Sequence, residues 1–246
     1  MISETIFPVY SVLSFVSVLC FLSIAGFVIQ GVFGGIVGPE FLQPGSSVFY
    51  DFMAATHCKC FVGKWLFQLI TCQFVQKDLI GLISNLFLLI FAVSWAEAIL
   101  TTSRAIIAFF LTIFCANAIV LWHIPYDTSI FGLSTGIYGL MGAALGAMIL
   151  NWPNLYFLKF PRVFVFWIFS IFIGFSFAYI RTDVEVTCGL IGLFVGILVG
   201  LFCGPTDRIS EKESRQLSSM QKVVMTFGFL SYFVTLIVIF CLILIA

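Results

Sequence analysis

The sequence predicts an all-α polytopic membrane protein, a bundle of six helices followed by a seventh C-terminal crossing. Three observations predict it. Only 9% of the 246 residues are charged, whereas a soluble domain carries roughly 25%, so the chain cannot cover a water-facing surface. The mean hydropathy is +1.19. The apolar residues also gather into runs long enough to cross a bilayer, which takes about 20 residues. A soluble enzyme is thereby excluded. So is a nucleic-acid binder, because 11 Lys and Arg balance 11 Asp and Glu and leave no basic field.

The expected crossings are 10–36, 79–100, 105–123, 133–152, 162–180, 186–203 and 223–245. The first is too long for a signal peptide and has no basic leader, so it reads as a helix that stays. Residues 37–78 form a long first loop. Its apolar piece WLFQLITCQFV, 65–75, is too short to span and is expected to lie at the membrane interface or dip in. Residues 1–205 then form one transmembrane domain, 206–222 a charged cytosolic linker, and 223–246 the added helix.

Lys and Arg set the orientation. With the N-terminus on side A, that side holds Arg104, Lys159, Arg162, Arg208, Lys212, Arg215 and Lys222, and side B holds Lys59, Lys64, Lys77 and Arg181. The bias makes side A cytosolic. Six of the eight cysteines sit singly in apolar runs and act as small hydrophobes. The row His57-Cys58-Lys59-Cys60 has the residue types of a metal site. The plainer expectation is a surface-loop coincidence, or a disulfide to another loop cysteine. No metal or cofactor is expected.

Small residues mark two helix faces. Gly132, Gly136, Gly139, Ala143 and Gly146 recur in the fourth crossing, and Gly189, Gly192, Gly196 and Gly200 in the sixth. Such stripes let two backbones approach closely in lipid, so these helices are expected to be packed partners at the centre. Helices two, four and six all enter from side B. Asn85, Ser134 and Gly189 should then share one depth, about a turn below the surface. Polar residues at that depth form a candidate site, although Ser and Asn in membrane helices are most often packing glue.

The row GLSTGIYGLMGAALG, 132–146, resembles the signature of rhomboid intramembrane serine proteases: Gly132, Leu133, Ser134, Tyr138, Leu140, Met141 and Gly142 fall in register. Asn85 followed by an apolar run and Glu97 is similar to the family's second helix. The resemblance covers roughly residues 10–205 and implies a six-plus-one helix layout. It also implies a nucleophilic serine at Ser134, with a histidine base on helix six. A second histidine and Asn85 would help to hold the oxyanion on helix two. Both histidine positions are glycine here, Gly189 and Gly81, and Thr135 stands where the family has glycine. The family's Trp-Arg pair is missing from the first loop, where the nearest pair is Lys64-Trp65.

No other base stands out. His57 belongs to the first loop, His123 ends helix three, and Asp183 and Glu185 precede helix six by a turn. A serine hydroxyl without a base is a poor nucleophile. The expectation is therefore a pseudoprotease that binds transmembrane segments of client proteins, in quality control, trafficking or translocation. Its gate would lie between helices two and five, at Phe87, Phe91, Trp167 and Phe175. The alternative is an active intramembrane serine endopeptidase with an unidentified base. A transporter is disfavoured because few ionisable residues lie in the spans. The expected partners are the lipid bilayer, client helices and further membrane-complex subunits. An ER or Golgi membrane is expected over the plasma membrane or the mitochondrial inner membrane.

Overall fold

The computed structural model describes residues 14–37, 43–45, 48–126, 128–150, 183–204 and 219–245. Among the described residues, five helices are long and apolar enough to cross a membrane, and Ser134–Leu150 is a shorter apolar helix. The expected fifth crossing, 162–180, lies outside the described residues, as do Trp167 and Phe175.

Helix α1 spans Phe15–Gly34. Ser14 starts it: its backbone is extended, and its hydroxyl accepts the Ser17 N–H at 3.2 Å, which satisfies a donor the first turn leaves open. A second cap comes from far along the chain. The buried Glu97 carboxylate accepts the Phe15 N–H at 3.1 Å and the Val16 N–H at 3.2 Å. It also accepts the Thr102 hydroxyl at 2.7 Å. A carboxylate suits this place because the helix N-terminus carries partial positive charge.

The first loop is built rather than loose. It runs through α2 (Val48–Met53), β1 (Ala55–Thr56), a π-helical turn (Cys58–Val62) and α3 (Gln68–Thr71), which tightens into a 3₁₀ turn at Cys72–Phe74. The piece expected at the interface divides by face. Trp65 and Phe67 are exposed and stack with rings 6.0 Å apart, whereas Gln68, Leu69, Cys72 and Gln73 are buried. Its inner edge therefore belongs to the core.

Helix α4 covers Leu79–Leu100. Asp78 caps it by accepting the Gly81 N–H at 2.6 Å, and a π-helical turn interrupts it at Leu89–Val93. Thr101 alone joins it to α5, Thr102–His123, with φ 74°. After α5, β2 (Ser129–Ile130) pairs antiparallel with β1, Ala55 opposite Ile130 and Thr56 opposite Ser129. This two-stranded ribbon ties the first loop to the turn that leads into α6, Ser134–Leu150.

Helix α6 is the centre of the described fold. All of it is buried except Leu145 and Ile149. Gly132, expected on its glycine stripe, instead precedes the helix: its φ of +93° suits a glycine in the entering turn. Helix α7, Asp183–Cys203, packs along α6 with a fixed register. A Cβ placed on Gly192, Gly196 or Gly200 would collide with Thr135, Gly139 or Ala143 respectively, and one on Gly204 would crowd Ala147. The offset is constant (192−135, 196−139, 200−143 and 204−147 all equal 57), so the two helices run parallel with backbones in contact. Gly142 and Gly146 repeat the arrangement from the other side, against the carbonyl oxygens of Leu193 and Ile197. The expected glycine-to-glycine pairing is thus present.

Helix α8, Ser219–Ile245, packs on the outside of α5 and α7. Tyr232 anchors it, its hydroxyl donating to the Leu111 carbonyl at 3.1 Å, beside Phe202 with rings 5.2 Å apart. Phe227, Phe233 and Phe240 face outward.

Candidate functional site

Ser134 opens α6 and is 7% exposed. The turn before it is held by the first loop, where the Gly132 N–H donates to the Cys72 carbonyl at 3.0 Å. The inward-facing serine expected from the sequence is thus what the structure holds. Among the described residues no group hydrogen-bonds its hydroxyl.

The α6–α7 register sets the heights. Ser134 lies level with Ile191 (134+57), so Gly189 is two residues away, about 3 Å along the axis at 1.5 Å per residue. Gly189 is buried, and glycine has no side chain with which to take a proton. Glu185 differs from expectation in two ways. It lies inside the first turn of α7 rather than before it, and it is 6% exposed. It stands six residues from the Ser134 level, about 9 Å along the axis, beyond direct hydrogen-bond reach of that hydroxyl. Its charge reaches the Tyr138 hydroxyl.

Gly81 and Asn85, which the resemblance marks for the oxyanion, both donate to partners within the protein. Gly81 donates its N–H to Asp78 at 2.6 Å. Asn85 donates its side-chain N–H to Gln76 Oε1 at 2.9 Å. Gly136, in the first turn of α6, donates its N–H to Gln73 Oε1 at 3.0 Å. Gln76 is held in turn by Gln30 on α1, whose Oε1 accepts the Gln76 N–H at 3.3 Å. Gln30, Gln73, Gln76 and Asn85 are all at most 4% exposed. Together they form a buried amide network that joins α1, the first loop, α4 and α6. Amides away from water must find partners or destabilise the fold, and these find one another. Sequence reasoning reached only Asn85. The signal available for the others was three glutamines, at 30, 73 and 76, set among apolar residues.

The remaining candidates fall apart as a group. Thr135 is fully buried against α7, its carbonyl oxygen 2.6 Å from a Cβ built on Gly192. His123 is exposed at the end of α5. His57, expected at the surface, is buried, whereas Cys58 is exposed and Cys60 is buried. Both thiols are free, and no metal-holding group of His, Cys, Asp or Glu occurs among the described residues. On the outer face of α4, Phe87 is 46% exposed and packs on Phe91 with rings 4.5 Å apart.

These features define an integral, multi-pass α-helical membrane protein with a serine sheltered at the head of its central helix. A family model for the Rhomboid domain matches residues 63–206, more than half of the chain, and the chain belongs to the rhomboid family. A comparison with curated proteins finds no match.

Proposed function

We propose that this protein is a rhomboid pseudoprotease that binds transmembrane segments of client membrane proteins without cutting them. One observation carries the reading: the base position is glycine, Gly189, and the two residues expected at the oxyanion, Gly81 and Asn85, are engaged within the protein. Losing the base of a serine hydrolase costs several orders of magnitude in rate, and each oxyanion donor is worth roughly 3–4 kcal/mol. Phe87, exposed, and Phe91, half-buried beside it, form part of a lateral gate for clients. Trp167 and Phe175 complete it in this reading. The N-terminus faces the cytosol, and the membrane is that of the ER or Golgi.

A second reading, a serine endopeptidase, draws support from one feature. Glu185 is buried one helical turn from Gly189 on the same face, near Tyr138. It would need a water or Tyr138 to bridge the remaining distance to Ser134.

The test uses the full chain in proteoliposomes with model single-span substrates. The protein should cross-link to them without cleavage, and a fluorophosphonate probe should leave Ser134 unlabelled. Replacing Phe87 and Phe91 together by Ala should weaken cross-linking while thermal stability stays near normal. Unchanged cross-linking would overturn the gate. Labelling or cleavage that Ser134→Ala abolishes would overturn the pseudoprotease reading, and its loss in Glu185→Gln would name the base.

A further inference from the structure

His57 sits between β1 and the π-helical turn, closed in by aromatic rings. Its ring lies 4.3 Å from Tyr126, 4.9 Å from Phe61 and 5.8 Å from Trp122, centroid to centroid. Phe61 and Trp122 also meet edge to face at 6.0 Å. The side chain is 5% exposed, and its Nδ1 is buried with no hydrogen-bond partner among the described residues. The box spans two elements. His57 and Phe61 come from the first loop, and Trp122 and Tyr126 from the end of α5 and the turn after it. The adjoining β1–β2 ribbon makes the same connection. This junction, together with the Gly132–Cys72 hydrogen bond, holds the loop over the entrance to α6.

We propose that His57 is an acid-released latch, whose protonation unpacks this ring box and frees the first loop from the turn leading to Ser134. A neutral imidazole fits an apolar box. An imidazolium carries two N–H donors, and Nδ1 faces no acceptor there. Aromatic faces attract a cation, but desolvation of a buried charge opposes that attraction more strongly.

Among the charged neighbours, Lys59 disfavours a second positive charge beside it. Lys59, in the same turn, reaches across to the Asp51 backbone carbonyl on α2. His123 is exposed at the end of α5, and Cys58 and Cys60 flank Lys59. Asp51 is exposed on α2, and Tyr126 lends its ring to the box. Asp127, next along the chain, lies outside the described residues. Burial holds the His57 pKa below its usual range. The open loop therefore binds more protons than the closed one. Closure is fully favoured above the ordinary imidazole value near 6.5 and weakens as pH falls below it. The proposal is independent of whether the site cuts or only binds.

Two cysteines in the turn report the motion. Cys60 is fully buried, its thiol pushed up to about 11 by burial, and Cys58 is exposed. The full chain in proteoliposomes is treated with 4,4′-dithiodipyridine between pH 7.5 and 5.0, and both sites are read by mass spectrometry. Cys58 corrects for intrinsic reactivity. The Cys60-to-Cys58 ratio should rise on acidification by up to about tenfold per pH unit. His57→Phe, which fills the box without titrating, should keep it flat, and His123→Gln should not change the rise. A flat wild-type ratio overturns the proposal whether or not the variant folds. So does a rise that persists in His57→Phe or vanishes in His123→Gln.

Discussion

Substituting Gly196 by Ala tests the parallel glycine interlock most directly. The added Cβ would lie 2.8 Å from the carbonyl carbon and 2.9 Å from the Cα of Gly139, with the carbonyl oxygen closer still. Ordinary contact lies at 3.4–4 Å. The obstacle is backbone, so no side chain can rotate away, and the two helices must separate by about an ångström. Overpacking of this kind costs typically 1–3 kcal/mol. At about 2–4 °C per kcal/mol for a chain of this size, the expected fall in melting temperature is roughly 2–12 °C. Gly31→Ala supplies the matched control. It makes the same chemical change inside α1, where an added Cβ meets nothing within 4 Å. Its better helix propensity should leave stability unchanged or raise it by up to about 1 kcal/mol. Both variants are purified in one detergent and unfolded by scanning fluorimetry. Equal melting temperatures for the two would refute the register derived for α6 and α7.

Glu97→Ala should destabilise the protein by about 3 kcal/mol, because it strips partners from two N–H groups of α1 and from the Thr102 hydroxyl. Chymotrypsin cleavage near Tyr10 and Phe15 should accelerate, and an unchanged digestion rate would count against the cap. Thr101 holds φ 74° at the junction of α4 and α5, a region unfavourable to a β-branched residue. Thr101→Gly should therefore raise thermal stability by about 1 kcal/mol, and a clear loss would show that the threonine side chain matters more than its backbone strain.

The sequence revealed the parts of this fold that depend on composition and period. Apolar runs placed the crossings, because lipid imposes a minimum length on them. Glycines at every third or fourth position marked α6 and α7 as partners, because a missing side chain is the condition for such close approach. Contacts between distant segments were less visible. Glu97 capping α1 joins residues more than eighty positions apart, and the ribbon between Ala55–Thr56 and Ser129–Ile130 is too short to stand out as strands. His57 shows the same limit. One histidine beside two cysteines suggested a surface row, and only the folded turn brings Trp122 and Tyr126 over it. The three glutamines carried a signal that was not used. Single amides inside apolar segments need partners, and needing them together predicts a network.

The preserved signature row does not by itself argue for chemistry. Gly136 lies against the Phe109 ring and Gln73, Gly139 against Thr112, and Gly142 and Gly146 against carbonyl oxygens of α7. Each glycine thus has a packing reason that would survive the loss of catalysis. Ser134 differs, because no described contact requires its hydroxyl. A small residue suffices for packing there, so Ser134→Ala should be nearly neutral for stability in either functional reading. Function must therefore be sought where packing makes no demand. Phe87 meets that condition: it is large, apolar and nearly half exposed, and it stands on the outer face of α4. In lipid an exposed phenylalanine has no stability consequence, since lipid tails are as apolar as the side chain. Any loss of client binding on its removal, at unchanged stability, would then report recognition rather than folding.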